Sequence, residues 1–479
     1  MTLADMILPA PKAVSEQRGI VCQLAKLNWI ESEGPFPFAA AAINEALAHV
    51  GLPPLPYSPS KMNLGTRQRV SLGVSPALGP EAYRLAVGNE TITIAGGDAA
   101  GVLYGARSLA QAIVVSAEFG GHDRYIPVGV VEDAPRFPYR GVLLDSSRHF
   151  QHVGTILKLI DEMSRLKLNR LHWHLVDRQG WRLPLACAPE LVRDMPRSRC
   201  YSFGAYTPDD IRAVRAYAAE RAVAIVPEIE MPGHSAAVFL THPELACDTG
   251  ADPFENDFWE FCIGNPKVRD FLSAVLAETA SLFPDSPMIH IGGDEAGTAH
   301  WEKCRVCQGA LREKGLADFR ALERDFMRAM EEVVAGFGRR AMTWGLTSDD
   351  GAHFSSGMVI QNWLREDVSA YVAAGHAVVN SYHRACYFDY PTGDDEPPEE
   401  WQRRLYDFDA AAGAGDRPDL VLGGEGCIWT EQLPEWRVLP RARPRLRALA
   451  ETLWSPADRK DFDGFRLRER RLVGAGLFL

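Results

Sequence analysis

Positive charge is in short supply here: 51 Lys and Arg stand against 63 Asp and Glu, a net charge of −12. Such a surface repels a phosphate backbone unless its basic residues segregate, so no nucleic-acid partner is expected. The one arginine-rich piece, Arg437 to Arg447, is interleaved with leucine and runs into Leu449-Ala-Glu-Thr-Leu-Trp454, the pattern of a helix with a solvated face. No apolar run approaches the length of a membrane span, and no membrane partner is expected either. Cysteine is sparse, nine residues spread thinly over 479, which excludes a disulfide framework and fits a reduced compartment. The only close pair is Cys304-Arg-Val-Cys307. A zinc site would want two more ligands at suitable spacing and a redox site a different neighbourhood, so the pair reads as plain or loosely structural thiols. The N-terminus lacks a basic region followed by an apolar core and a cleavage site, since Met6-Ile-Leu-Pro-Ala-Pro11 is short and broken by proline; the expectation is a cytoplasmic protein. No internal repeat or low-complexity segment stands out.

What is present is a globular composition, 46% apolar and 24% charged, in a chain long enough for a barrel of roughly 250 to 350 residues and a smaller partner. Residues 1–132 read as a small α+β accessory domain. Tyr83-Arg-Leu-Ala-Val and Thr91-Ile-Thr-Ile alternate like strands across a Gly88-Asn-Glu turn, and Ala99 to Ile113 carries apolar residues at helical spacing. Two prolines in Asp133-Ala-Pro-Arg-Phe-Pro-Tyr139 mark the boundary. Residues 133–479 form the second unit, with a C-terminal extension.

In that unit eight short strand candidates alternate with helical patterns. They are Gly141–Asp145, Arg170–Val176, Val223–Ile229, Met288–Ile291, Ala341–Trp344, Val359–Trp363, Ala377–Ser381 and Leu420–Gly423. The fold class is therefore α/β, a (β/α)8 barrel preceded by the small α+β domain. Thr207-Pro-Asp-Asp210 predicts a helix start, with a hydroxyl cap, a first-turn proline and acids at the positive end of the dipole.

A barrel of this kind carries its site just beyond the strand ends. The exits here alternate acids and indoles: Asp145, Asp177, Glu228, Glu230, His234, Asp294, Glu295, Trp344, Trp363, Tyr387, Asp389, Glu425, Trp429 and Glu431. Acids with tryptophans fit a sugar, whose apolar face stacks on an aromatic ring and whose hydroxyls want carboxylate or arginine partners. The centre of the pattern is Met288-Ile-His-Ile-Gly-Gly-Asp-Glu295, where an apolar strand delivers two adjacent carboxylates. Like charges so close resist ionising together, which keeps one proton available near neutrality. Gly292 and Gly293 would let the backbone bend there and leave room beside the sugar.

Five ordered segments, Arg140-Gly-Val-Leu-Leu-Asp-Ser-Ser-Arg-His-Phe150, Leu171-His-Trp-His-Leu-Val-Asp177, Glu228-Ile-Glu-Met-Pro-Gly-His234, His290-Ile-Gly-Gly-Asp-Glu295 and Gly424-Glu-Gly-Cys-Ile-Trp429, resemble the successive signatures of the β-N-acetylhexosaminidases that use substrate-assisted catalysis. The resemblance runs from about residue 134 to 456, and the preceding segment resembles the family's accessory domain. It implies a retaining exo-hydrolase that removes terminal β-linked N-acetylhexosamine from an oligosaccharide or glycoconjugate, with no cofactor and no metal. Glu295 is implied as general acid and then base, Asp294 as the group that orients the 2-acetamido nucleophile, and Tyr387 as donor to its oxygen. Around the sugar it places Arg140, Asp177, His234, Asp389 and Glu431, with Trp344, Trp363 and Trp429 walling the acetyl group. Arg148 and His149 have no assigned role. Arg178 departs from the second aspartate that many relatives carry after the position of Asp177.

Two other classes are weighed on the same residues. A metal-dependent barrel hydrolase would use His172 and His174 with His234 and Asp294, and a non-catalytic amino-sugar binding protein would need neither carboxylate nor Tyr387. A two-carboxylate glycosidase would recruit Glu230 or Glu425 as nucleophile. The choice between glucosamine and galactosamine configuration and the oligomeric state are not legible.

Overall fold

The structure is a computed structural model and describes residues 1–61, 68–118, 124–194, 197–256, 258–345, 354–355, 357–390 and 398–478. Its first part is a seven-stranded mixed sheet of β1 (Ala13–Gln23), β2 (Trp29–Ser32), β3 (Tyr57–Ser58), β4 (Arg69–Val74), β5 (Tyr83–Val87), β6 (Thr91–Gly96) and β7 (Tyr125–Asp133), in the order β1-β7-β5-β6-β4-β2-β3. The hairpin read from the sequence is the antiparallel pair β5 and β6. The predicted helix spans Ala99–Val115, and Asp98 caps it by accepting from the Gly101 N–H at 2.8 Å. With its extension to Glu118 this helix is long and apolar enough to cross a membrane, contrary to the sequence reading. It is instead the core of the sheet layer, 83% buried over its most apolar window and packed on β6 and the helix Pro37–His49.

The second part is a closed barrel of β8 (Tyr139–Asp145), β9 (Arg170–His174), β12 (Ala224–Glu228), β13 (Met288–His290), β14 (Arg340–Trp344), β15 (Val359–Asn362), β16 (Ala377–Asn380) and β17 (Val421–Ile428), with a two-strand ribbon of β10 (Val176–Asp177) and β11 (Gly180–Trp181) beyond β9. All eight expected strands are present, and they close in sequence order with parallel neighbours. The Thr207 start forms as read: Thr207 Oγ1 accepts from the Asp210 N–H at 3.1 Å while Asp210 accepts from the Thr207 N–H at 2.8 Å.

The barrel interior is layered. Tyr139, Val226, Met288, Met342, Val359 and Val379 form an apolar plug. Next comes a sealed polar layer that aliphatic filling does not anticipate. Glu228 pairs with His172 Nε2 at 3.2 Å, His290 Nδ1 at 2.9 Å and His174 Nδ1, and accepts from Trp344 Nε1 at 2.7 Å. Glu425 accepts from the Tyr139 hydroxyl at 2.6 Å and from Gln361 Nε2 at 2.8 Å, and pairs with His172 Nδ1 at 2.8 Å. Burial alone would lower His172; Glu425 and then Glu228 raise it to about 9. Glu425 therefore lies inside the barrel, and the strand-exit reading of it is corrected. Beta strand β17 simply runs five residues further than the sequence reading had it, to Ile428.

Arg140 requires a second correction. As the second residue of β8 it points to the opposite end of the barrel from the strand exits. There Nη1 donates to Glu81 Oε2 at 2.9 Å and to the Phe137 carbonyl at 2.7 Å, and Nε donates to the Lys167 carbonyl at 2.8 Å. Its guanidinium lies 5.0 Å from the ring centre of Trp454, as does the ammonium of Lys167. Asp133 completes this junction, accepting from Trp454 Nε1 at 2.9 Å and from the Tyr83 hydroxyl at 2.7 Å. Arg140 thus joins sheet to barrel and touches no part of the mouth.

Candidate active site

A cavity of about 360 Å³ opens at the C-terminal ends of the barrel strands, the size of a small-ligand site. Its lining comes from the ends of most strands: Arg148 after β8, Asp177 on the ribbon after β9, Glu230 and His234 after β12, Asp294 and Glu295 after β13, Trp363 after β15, Tyr387 and Asp389 after β16, and Trp429 and Glu431 after β17. Ten of these eleven were among the sequence-derived strand-exit residues. Trp344 was expected in the wall and lies one layer down, 1% exposed, with its ring 5.9 Å from that of Trp429. It supports the wall from beneath.

The acid pair sits on a sharp bend. Gly292 and Gly293 have φ of +65° and +112°, and Glu295 has φ of +51°. A side chain on Gly292 would meet the Glu230 carboxylate, and one on Gly293 the Thr343 hydroxyl. The space these glycines leave is thus taken by protein, and the expectation that it makes room for a sugar is corrected. His234 shares the left-handed conformation, with φ of +51°. Two such non-glycine residues facing one cavity are the kind of local strain that functional sites hold in place.

His234 joins the acids. Its Nδ1 lies 3.1 Å from Asp177 Oδ1, and its Nε2 lies 3.6 Å from Asp294 Oδ2 and 3.4 Å from Glu295 Oε2. Burial would favour the neutral ring, but Asp177 and Asp294 hold its pKa well above the usual range. The two carboxyls of the pair differ. Burial raises Asp294 to about 6, helped by Glu228 and Glu295 and opposed by His234. The Glu295 side chain is 50% exposed, and its hydrogen bond with His234 lowers it. Asp294 Oδ1 is buried without a hydrogen-bond partner, an acceptor facing the place where a ligand donor would lie. Glu230 is different again: burial, Asp294 and Glu228 hold it well above the carboxylate range. Burial likewise keeps the Tyr387 hydroxyl protonated, a donor at any working pH.

At the other end of the mouth stands the arginine whose role the sequence left open. Arg148 Nη2 lies 2.7 Å from Asp177 Oδ2 and 3.4 Å from Glu431 Oε1, Nη1 lies 3.2 Å from Asp145 Oδ2, and Nε donates to Gln179 Oε1 at 2.9 Å. Its plane lies 5.3 Å from the Trp429 ring centre. Arg148, and not Arg140, is the arginine that lines the cavity. The barrel rule itself held the signal, because Arg148 follows the end of β8 and Arg140 precedes most of that strand. Asp389, raised by burial to about 7, has an unpartnered buried Oδ1 near Glu431. Arg178, which stands where many relatives carry an acid, lays its guanidinium 4.2 Å from the Trp259 ring centre at the edge of the site.

The family model described as the catalytic domain of glycosyl hydrolase family 20 matches residues 137–457, and that for domain 2 of the same family matches residues 5–134. The chain belongs to glycosyl hydrolase family 20. It is a β-hexosaminidase-type glycoside hydrolase. A β-hexosaminidase of Akkermansia muciniphila is 31% identical over 424 residues, covering 84% of this chain and 85% of its own. One from Porphyromonas gingivalis is 33% identical over 435 residues, covering 83% of this chain and 54% of its own. Among solved structures, the exo-β-N-acetylglucosaminidase of Vibrio harveyi in complex with N-acetylglucosamine superposes with a TM-score of 0.85 at 25% identity, covering 99% of this chain and 77% of its own. A mutant Streptomyces plicatus β-hexosaminidase in complex with its product GlcNAc gives 0.81 at 28% identity, covering 100% and 96%. The family 20 frame also bears on the metal alternative. His172 and His174 lie in the sealed interior with their ring nitrogens committed to Glu425, Glu228 and Asp177, and only His234 and Asp294 of that set face the cavity.

Proposed function

We propose that the protein hydrolyses terminal non-reducing β-N-acetylhexosaminides with retention of configuration, using the substrate's own 2-acetamido oxygen as the nucleophile. The observation that carries this reading is the state of the carboxyls around the mouth. A conventional retaining glycosidase needs an ionised carboxylate beneath the anomeric carbon. Glu230 is buried where desolvation, Asp294 and Glu228 all disfavour its ionised form, and Glu425 is sealed inside the barrel. Asp294, beside Glu295 in the cavity wall, has a buried Oδ1 without a hydrogen-bond partner and is suited to an amide N–H.

In the reaction the acetamide oxygen attacks the anomeric carbon as the bond to the leaving oxygen breaks, and Glu295 gives its proton to that oxygen. Asp294 accepts the acetamide N–H and offsets the positive charge of the oxazolinium ion, while Tyr387 donates to the acetamide oxygen. Trp363 and Trp429 wall the acetyl group, so the nucleophile is held in place and attack is intramolecular. Water then adds to the anomeric carbon, loses its proton to Glu295, and the acetamide reforms.

In the unliganded protein Asp294 is raised to about 6 and Glu295 is lowered, so Asp294 is the weaker of the two acids. Substrate reverses the order. A sugar strips water from half-exposed Glu295 and raises it, and the acetamide N–H favours ionised Asp294. His234, within 3.6 Å of both, lies on the path between them. Arg148 and Glu431 meet the hydroxyl edge of the ring.

The N-acetylglucosamine held by the Vibrio harveyi and Streptomyces plicatus structures supports an N-acetylglucosaminide as substrate. Aryl N-acetyl-β-glucosaminide and the matching aryl glucoside without the acetamide, assayed side by side, test the reading. Turnover of the first and near inertness toward the second are expected, and comparable rates would refute acetamide participation.

A further inference from the structure

Among the described residues, four cysteines from distant parts of the chain converge in one buried cluster. Cys247, Cys262, Cys304 and Cys307 place their sulfurs all within 4.8 Å of one another, and each residue is at most 2% exposed. The separations are 3.5 Å for Cys262–Cys307, 3.6 Å for Cys262–Cys304 and 3.8 Å for Cys247–Cys307. A disulfide needs about 2.05 Å. A zinc ion with Zn–S bonds of about 2.3 Å puts the corners of its tetrahedron roughly 3.8 Å apart, which is the spacing found. The two ligands that the sequence did not show beside Cys304-Arg-Val-Cys307 are therefore supplied by the fold.

The surroundings favour thiolates. Cys304 directly precedes the helix Arg305–Glu313 and Cys307 lies in its first turn, at the positive end of the dipole. Gly264 approaches so closely that a Cβ there would lie 2.7 Å from the Cys307 Cα.

We infer that Cys247, Cys262, Cys304 and Cys307 form a closed tetrathiolate site for one structural Zn²⁺ ion. Binding expels the thiol protons and leaves no open position for a substrate, so the ion acts through what it ties together. Cys247 and Cys262 lie on the excursion that follows His234, and Cys304 and Cys307 on the one that follows Glu295. Next to the cluster, Glu260 accepts from the Gly297 N–H at 2.7 Å and pairs with His300 Nδ1 at 3.1 Å, and the Phe261 carbonyl accepts from Trp301 Nε1 at 2.9 Å. The Trp259 carbonyl accepts from the Ser235 N–H at 2.9 Å. The ion would thus hold the histidine loop and the acid loop in register.

Metal content of the untagged full chain, purified under reducing conditions, tests the site by plasma emission. About one zinc per chain is expected, released as the thiols are titrated with an organomercurial. Protein produced in cobalt-enriched medium should show thiolate-to-cobalt charge transfer and the d–d bands of tetrahedral cobalt. Cys262→Ser and Cys307→Ser should lose metal and signature together with a fall in Tm, whereas Asp294→Asn should keep both, which separates this site from the catalytic acids. Should the serine variants fail to fold, the cobalt spectrum of the unaltered chain decides. A folded chain that takes up neither zinc nor cobalt, metal uptake that survives Cys307→Ser, or a disulfide mapped within the four would each overturn the proposal.

Discussion

Nε2 of His234 stands 3.4 Å from Oε2 of Glu295, while the Nδ1 of the same ring is anchored 3.1 Å from Asp177. One imidazolium therefore couples a buried acid to the half-exposed acid that meets the leaving group. Replacing it by His234→Phe should raise the pKa of Glu295, since the hydrogen bond that lowers it is gone. It should also cut kcat/KM by roughly tenfold to a hundredfold. A pH–rate profile beside the unaltered enzyme checks both, and an unchanged profile would remove His234 from the mechanism.

Asp294 sets the acid side of that profile. Its pKa is raised to about 6 in the unliganded protein, so it is ionised above that pH and protonated below. As the acetamide acceptor it must be ionised, and kcat/KM should fall as pH drops through about 6. Asp294→Asn should abolish that limb and lower the rate about 10²–10³-fold for good and poor leaving groups alike.

Glu295→Gln should separate leaving groups. Departure of a poor alcohol needs the proton and should slow by about 10²–10⁴, while an activated phenol needs it little. A Brønsted plot over substituted aryl glycosides gives the answer, a steeper slope in the variant being the expected result.

The two arginines should part cleanly. Arg148→Lys should raise KM for the aryl glycoside, because a single ammonium cannot span Asp145 and Asp177 as the fork does. Arg140→Ala, which leaves Glu81 and two carbonyls at the junction short of a donor, should cost about 3–5 kcal/mol of stability and leave KM unchanged in the folded fraction. Denaturant unfolding and steady-state kinetics on both variants distinguish them.

The sealed layer predicts a pH dependence of stability. His172 is raised to about 9 when folded, so its contribution is complete below its ordinary value of 6.5 and disappears as pH climbs from there through 9. Tm should decline over that window, and Glu425→Gln should flatten the decline.

Eight barrel strands and most of the mouth were legible because each follows from a local pattern: an apolar run, then a chemically loaded exit. What was not legible depends on distance through space. Arg140 and Arg148 belong to one eleven-residue segment, and only the position of the strand end tells them apart. Trp344 reads like Trp363 and Trp429 until the layering shows it one level deeper. The thiols around Cys304 and Cys307 looked like a lone pair because their partners approach from another loop. The polar interior escaped because Glu228 and Glu425 each look like exit chemistry when taken singly.

The knot of Asp133, Trp454, Lys167 and Arg140 has a consequence for how the molecule comes apart. Trp454 closes a long helix near the end of the barrel, yet its indole N–H is satisfied by the last residue of the accessory sheet, and its carbonyl takes the Arg136 N–H at 2.9 Å. Separating sheet from barrel would strip Asp133 of the Trp454 N–H and Arg140 of the Glu81 carboxylate, pairs now made out of water. Sheet and barrel are therefore expected to melt as a single cooperative unit, with one calorimetric transition, and neither piece is expected to fold when expressed alone.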